Sequence, residues 1–220
     1  IDNSGNNKYL GTGRTLRIKS GGLILNKSSA IGLPGREDNG SLVLGDATHP
    51  AYVWAKGYGD NTNYLGAAVT APGGFVAAYM GNLALVGDQT GIADEIAVNG
   101  GTLAIGTSEN ECLLTAGLLI RVCRGAKLLA NHANSLNGIA VKLDGAGGDF
   151  AKVILPGDRI CASLAVRDVY ESTEWDDLPE GTYGSSESAA EFVRDDLFVG
   201  PGVLRVGAAP TPNGVMFLVY

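Results

Sequence analysis

The chain has few of the residues on which most catalytic, metal and nucleic-acid sites depend. Of its 220 residues only two are histidine and three are cysteine, and aromatic residues make up 7%. Sixteen lysines and arginines stand against 23 acidic residues, which gives a net charge of −7. Because a phosphate backbone is repelled by such a surplus of negative charge, we expect no nucleic-acid partner.

Long apolar runs are also missing. Glycine, asparagine or aspartate interrupts every apolar block within about seven residues, far short of the ~20 residues that a membrane-spanning helix needs. We therefore expect no transmembrane segment. The opening IDNSGNNKYL has neither a basic start nor an apolar core, so we expect that any export signal was removed or never present. With 45% hydrophobic residues the chain is nevertheless too apolar to remain disordered.

The cysteines and histidines form no recognisable reactive set. Cys112, Cys123 and Cys161 are an odd number without a CxxC pair, so at most one disulfide joins them and zinc is not expected. His49 and His132 have no GxSxG motif to accompany them, and no carboxylate near in sequence is evident as an orienting partner. We expect a protein that is not an enzyme, with no catalytic residue, cofactor or metal.

Glycine, by contrast, is abundant, with 33 residues, and it punctuates a recurring block. The block reads small, apolar, any, apolar, then glycine or asparagine, and its clearest copies are GLILN at 22–26, SLVLG at 41–45, NLALVG at 82–87 and TLAIG at 102–106. A degenerate copy, NYLGAAV, lies at 63–69, and looser copies are AKLLA at 126–130, IAVKL at 139–143, AKVIL at 151–155 and ASLAV at 162–166. Alternation over four to six residues between turn residues is typical of half-buried strands.

These repeats predict an all-β, single-domain β-solenoid. A unit of about 20 residues cannot bury its apolar stripe alone, so successive units must stack. Some ten coils would make a rod of roughly 45–50 Å, with Leu23, Leu42, Leu83 and Leu103 in ladders. A β-sandwich or jelly roll is the alternative. The nearest helical pattern, SSESAAEFVRDD at 185–196, covers one or two turns.

Two C-terminal segments resemble a known closing motif. They are LPEGTYGSS at 178–186 and DDLFVGPGVLRV at 195–206, in which the matching positions are Leu178, Pro179, Gly181, Thr182, Tyr183, Phe198, Gly200, Gly202, Leu204 and Val206. The motif is that of bacterial passenger proteins built from autotransporter-associated β-strand repeats, and the resemblance covers residues 10–206. It implies an exported, right-handed parallel β-helix on a bacterial surface, serving as an adhesin or a structural rod without catalytic residues.

The chain divides at a proline-rich connector. We assign residues 1–206 to the solenoid and 207–220 to the linker GAAPTPNG with a final strand. This strand is wholly apolar, and its residues are Val215, Met216, Phe217, Leu218, Val219 and Tyr220. Left exposed, such a segment aggregates, so it either pairs within its own domain or adds to the sheet of a neighbouring copy.

Assembly is accordingly the predicted function. A solenoid exposes unpaired backbone groups at both ends unless a cap covers them, and no capping helix is evident. A contact between opposite ends of successive copies builds a filament. We expect a non-catalytic, extracellular structural protein that self-assembles head-to-tail into a fibre or surface rod, with the C-terminal strand as linker and homopolymer as the state.

Two other functions remain open. Trp54 and Tyr58 lie in an aromatic-rich window, 52–79, that suits stacking on sugars, as in a carbohydrate-binding adhesin with surface glycans as partners. Arg17-Ile18-Lys19 is similar to the basic motif of polygalacturonases, which points to a polysaccharide lyase or hydrolase. The rest of that site is missing, so an outward strand face explains Arg17 and Lys19 better.

Two further features are read mainly as structural. Asn26 and Asn39 stand in sequons and are candidate glycosylation sites. The acid-rich segments 57–63 and 144–149 contain oxygen ligands of the kind that calcium prefers, but they lack EF-hand spacing and suit tight turns.

Overall fold

The chain winds into a β-solenoid, as the repeats predict, and the solenoid has about six turns. A computed structural model describes residues 10–26, 28–32, 39–56, 61–78, 81–145, 148–168 and 172–207, and in these residues there is no α-helix. Three parallel sheets form the sides of the coil, because each of the first turns contributes one short strand to each side, whereas the later turns add strands only to the second and third sheets. The alternative of a sandwich of antiparallel hairpins is therefore wrong.

The first sheet has four strands, in the order β1 (Thr15–Ile18), β4 (Ser41–Leu44), β7 (Ala68–Ala71) and β11 (Gly91–Ile92). The second has eight, in the order β2 (Gly22–Asn26), β5 (Ala51–Lys56), β8 (Phe75–Ala78), β12 (Glu95–Val98), β15 (Leu119–Val122), β17 (Ala140–Asp144), β20 (Ser163–Arg167) and β21 (Asp176–Asp177). The third has seven, in the order β3 (Ala30–Ile31), β6 (Thr62–Leu65), β9 (Asn82–Leu85), β13 (Thr102–Ile105), β16 (Lys127–Ala130), β18 (Lys152–Ile154) and β24 (Phe198–Val199). All these pairings are parallel except that of β20 with β21.

Two small sheets complete the structure. One is a parallel pair of β10 (Gly87–Asp88) and β14 (Cys112–Leu113). The other, at the C-terminal end, has the order β19 (Arg159–Cys161), β25 (Val203–Val206), β22 (Gly181–Gly184) and β23 (Phe192–Val193).

The predicted ladder of leucines is only partly right. Leu83 lies opposite Leu103 in the third sheet, twenty residues later. Leu42 belongs to the first sheet and Leu23 to the second, although both are buried as expected. All three sides of the coil need the same alternation of inward apolar and outward small residues, so blocks that look alike in sequence lie on different sides.

The expected ten coils are too many because the coils differ in length. From Leu65 to its partner Leu85 the coil takes twenty residues, but from Ile31 to Leu65 it takes 34. Between Ile154 and its partner Val199 the chain makes a 45-residue excursion through the C-terminal small sheet. Six strand spacings of about 4.8 Å span the third sheet, which makes the stack roughly 29 Å long rather than 45–50 Å.

The interior is a column of aliphatic side chains with two fully buried amides. Gln89 accepts from the backbone N–H of Val69 and donates to three backbone carbonyls at 2.9–3.3 Å. The Asn63 side chain accepts from Ser29 N–H at 3.0 Å and donates to the carbonyl of Asn82. Within the described residues no buried side-chain nitrogen or oxygen lacks a partner, so the coil turns its corners without leaving polar groups stranded.

The helix suggested for 185–196 does not form. The Ser188 hydroxyl donates to the carbonyl of Ser185 at 2.7 Å, and the N–H of Glu187 donates to the Ser185 hydroxyl, which holds a turn instead. Phe192 then pairs in β23 alongside β22, where its ring stacks on Tyr183 with centroids 4.9 Å apart. Tertiary stacking outweighs a helical pattern that spans only one or two turns.

The two ends of the stack differ. At the C-terminal end β21 pairs antiparallel with β20 and β22 pairs antiparallel with β25, so the parallel stacking stops, and Phe198 and Leu204 are fully buried. We call the segment 172–207 the C-terminal cap. At the other end, among the described residues, no strand pairs with the outer sides of β1, β2 and β3. The two ends of the stack therefore differ, although no described strand pairs with the outer sides of β21 and β24 either.

Candidate functional site

An apolar groove lies on the outer face of the second sheet in its first two coils. Tyr52 and Trp54 are two residues apart in β5, so both side chains point outward, and Ile24 of β2 lies opposite Trp54. Their exposed fractions are 41%, 45% and 48%. Together with 20–22, His49 and Pro50 they enclose a cavity of about 400 Å³. This first-coil groove exposes large apolar side chains that could be covered by an apolar ligand or chain.

Gly22 forms one wall of the groove. It lies opposite Tyr52 in the strand register, and a Cβ on Gly22 would lie 2.9 Å from the Tyr52 carbonyl oxygen and 3.1 Å from its Cβ. The backbone of β2 therefore approaches Tyr52 closely, and no side chain stands beside the ring in the first coil. The phenol faces the cavity instead of a neighbouring side chain.

Further along the stack the same outer face becomes charged. In the row that contains Tyr52, the following positions are Val76, Ala97, Arg121 and Lys142. Arg121 donates from Nη2 and Nε to Glu95 Oε1 at 2.6 and 2.9 Å, and the neighbouring carboxylate raises its pKa. The apolar part of the face is thus confined to the early coils.

The charged part ends in a stacked cluster. Arg167 donates from Nη2 to Asp144 Oδ2 at 2.5 Å. The Trp175 ring has the Lys142 ammonium 5.2 Å from its centroid and the Arg167 guanidinium 5.1 Å from it. In these ion pairs and cation–π contacts the charged side chains of this half of the face are paired with groups of the same molecule.

His49, contrary to expectation, does have an orienting carboxylate. Asp46 Oδ1 lies 2.9 Å from His49 Nδ1, and the same oxygen accepts from the Thr48 hydroxyl and N–H. The bonds from Thr48, followed by that with His49, hold the pKa of Asp46 well below its usual value. The His49 side chain is 68% exposed, and the Thr48 hydroxyl also lies 2.9 Å from its Nδ1. These contacts within four residues stabilise a surface turn. His132 is also in a turn, where its Nδ1 accepts from Asn134 N–H at 3.4 Å.

The three cysteines are free thiols. Cys112 and Cys161 are buried, and burial raises the pKa of each to about 12. Cys123 is half-buried with Arg121 Nη1 3.2 Å from its sulfur, yet burial outweighs the cation and raises its pKa too. None of them is activated as a nucleophile, and the one disulfide that the count allows is not formed.

The basic tripeptide Arg17-Ile18-Lys19 and the sequon residue Asn26 lie in the first coil. Arg17 and Lys19 are exposed, whereas Leu16 and Ile18 pack partly against the core, which confirms the outward-face interpretation. Asn26 is half-buried at the end of β2.

Asn39 is poorly suited to glycosylation. Its side chain is buried, with 9% exposure, and Nδ2 donates to the carbonyl of Gly66 at 3.2 Å. Because a glycan would have to be attached to this nitrogen, the buried bond argues against the prediction of Asn39 as a glycosylation site in the folded chain.

The acidic pairs near the C-terminus are structural in the described residues. Asp196 accepts from Arg194 Nη2 at 2.7 Å, and Asp195 accepts from the N–H of Ser186 at 2.7 Å. Asp176 and Asp177 form the exposed strand β21. No group of three or more potential metal-ligating side chains occurs in the part of the chain that the structure describes. Tyr58, Val215, Met216, Phe217, Leu218, Val219 and Tyr220 lie outside the described residues.

Comparison with protein-family models, with curated proteins and with solved structures yields no match. A search of the described residues for helices long and apolar enough to cross a membrane also finds none.

Proposed function

We propose that this protein is a non-catalytic, extracellular structural protein that self-associates through the first coil of its solenoid to form a fibre or surface rod. The observation that carries the proposal is the difference between the two ends. A parallel stack whose first coil is open presents an acceptor edge there, and the apolar segment 215–220 is the unlike surface that would meet it. Repeated contact between unlike surfaces builds an open chain of copies instead of a closed dimer.

The open end has both polar and apolar groups to satisfy. The outer sides of β1, β2 and β3 present backbone N–H and C=O groups that no described strand engages. The inward side chains Leu16 and Ile18 of β1 are only partly buried, while their partners Leu42 and Leu44 in the next coil are buried. An added strand would satisfy both deficits.

The resemblance of the C-terminal motif supports the location outside the cell. Several of its residues stabilise the C-terminal cap: Tyr183 donates to the carbonyl of Pro179 at 2.9 Å, and Phe198 packs against the Tyr183 ring at 6.5 Å between centroids. The motif thus supplies a finished end, which suits a passenger rod whose other end makes contacts.

The test measures the size of the full chain as a function of concentration by sedimentation velocity and negative-stain electron microscopy. We expect growth into linear particles. Ile24→Lys, in the open coil, should reduce the growth, whereas Val199→Lys, equally accessible at the finished end with 45% exposure, should not. A monodisperse monomer at all concentrations, or equal loss in both variants, would overturn the proposal.

A second candidate function is carbohydrate binding, as in an adhesin. It is favoured by Tyr52 and Trp54, whose half-exposed rings lie side by side on β5 and suit stacking on pyranose faces. Binding to a glycan array that disappears in Trp54→Ala, with unchanged thermal stability, would support it. The lyase or hydrolase hypothesis has no observation in its favour among the described residues.

A further inference from the structure

We infer that the segment 215–220 of one copy binds as an added strand along the outer edge of β2 in a second copy. This inference rests on the proposed self-association and names the parts that make the contact. The occupant of the first-coil groove is then the segment 215–220 of another copy of this protein.

Both faces of an added strand would meet apolar rows at β2. Inward side chains would continue the row that starts with Leu23 and Val53, and outward ones the row that starts with Ile24 and Trp54. A strand edge usually needs alternating apolar and polar residues, because one face is wet. The segment VMFLVY is apolar at every position, so it suits an edge that presents Leu23 and Leu25 inward and Ile24 at the centre of its outward side.

The other end of the second sheet rejects the same segment. There the last strand, β21, consists of Asp176 and Asp177, both exposed. Charged residues on a short edge strand disfavour pairing with an apolar one. The segment therefore discriminates between the two edges of the second sheet.

Reach excludes the same contact within one molecule. Gly207 lies at the C-terminal end, where its N–H donates to Cys161, and eight steps of at most ~3.6 Å let Val215 lie no more than about 29 Å away. Six strand spacings separate β20 from β2, and the outer edge of β2 adds a seventh, or about 34 Å at ~4.8 Å each. The segment as a whole, with Val215 paired, therefore reaches only the β2 edge of another copy.

The experiment mixes two variants of the full chain, one defective in the acceptor edge of β2 and the other lacking the donor segment 215–220. Ile24→Asp places a charge in the acceptor edge but keeps the C-terminal segment, and deletion of 215–220 removes the donor but keeps the edge. Each alone should sediment as a monomer, while the mixture should form a 1:1 complex that grows no further. Leu113→Asp, with the same 48% exposure as Ile24 but in β14, is the matched control and should assemble like the parent chain.

The expected change is at least about a tenfold rise in Kd for Ile24→Asp with the parent as partner, since apolar anchors dominate such contacts. Circular dichroism checks that each variant folds, and Trp54→Asp replaces Ile24→Asp if the latter does not. Assembly of the deletion variant, or absence of a complex in the mixture, would overturn the inference.

Other outcomes separate this inference from the proposed function. If the parent chain assembles and the deletion variant does so equally, self-association stands and the donor segment is wrong. If the parent chain is a monomer at every concentration, both fail. If it assembles only after removal of residues 1–9, or if the groove binds glycans while no variant assembles, the groove has a different occupant and the inference fails.

Discussion

Leu83 and Leu103 lie directly opposite each other on adjacent strands of the third sheet, with 2% and 0% of their surfaces exposed. The row continues through Leu128, Val153 and Phe198, all buried. Each side chain is thus held between the one below and the one above. Loss of any member leaves a void that two neighbouring coils border.

Truncation of this row should be costly. We expect Leu103→Ala to lower the free energy of unfolding by about 2–5 kcal/mol, because the transfer and cavity contributions add at a site that cannot collapse. The measurement is chemical denaturation followed by circular dichroism. Leu129→Ala, in the outward row of β16 and only half-buried, is the control and should lose clearly less. Equal losses would show that the ladder has no special packing role.

Two facing glycines should respond differently to the same substitution. A Cβ on Gly202 would lie 2.1 Å from the carbonyl oxygen of Gly157, whereas a Cβ on Gly157 would meet nothing nearer than Arg159 Nη1 at 3.4 Å. Neither residue has a left-handed φ, so steric contact alone decides. We expect Gly202→Ala to destabilise the C-terminal cap by about 1–3 kcal/mol and Gly157→Ala by much less, as judged by thermal midpoints. A tolerated Gly202→Ala would contradict the close approach.

The thiols should differ in reactivity. In the native chain DTNB should react slowly with one cysteine, because Cys112 and Cys161 are buried with their pKa raised to about 12 and only Cys123 is half-buried. In denaturant all three should react, since none is oxidised. Cys123→Ser should abolish the native reaction. Rapid release of more than one equivalent from folded protein would show that the stack opens readily.

Acid should weaken the C-terminal cap through Asp196. Hydrogen bonds from Arg194 hold the pKa of Asp196 below its usual 3.8, so this interaction adds stability at neutral pH and loses it as the pH falls through the lowered value. Because both side chains are about a third exposed, the contribution should be below about 1 kcal/mol.

Thermal unfolding of the parent chain and Asp196→Asn tests this contribution. The difference between them should be present at neutral pH and shrink below pH 3.8. Arg194→Gln should show the same pH dependence, and the double variant should lose no more than either single one. Additive losses would mean that the two residues act separately.

Strand positions could be predicted from local alternation, whereas the side of the coil could not. GLILN at 22–26 coincides with β2, and TLAIG at 102–106 contains β13, because inward apolar residues alternate with outward ones at each. The strand Ala51–Lys56 departs from this pattern because its outward residues Tyr52 and Trp54 are large. Assignment to a sheet depends on coil length, which a repeat of variable spacing does not fix.

The candidate site was predictable only in part. An exposed Trp54 follows from alternation in β5, but its partner Ile24 comes from a strand thirty residues earlier that only the stacking brings alongside. The contacts of the C-terminal cap could not be predicted from neighbouring residues for the same reason. Arg159, for instance, is buried and donates to the carbonyls of Ala130 and Asn131, which lie in a different coil. Such contacts depend on long-range register rather than on neighbouring residues.

The pairing of Leu85 with Ile105 means that residues 86–105 begin and finish at equivalent points of the winding. Excising these twenty residues would remove one strand from each of the three sides and bring Leu83 against Leu128 in the register that Leu103 has now. Removal of one whole coil should therefore shorten the stack by one strand spacing, about 4.8 Å, and leave both ends of the solenoid unchanged.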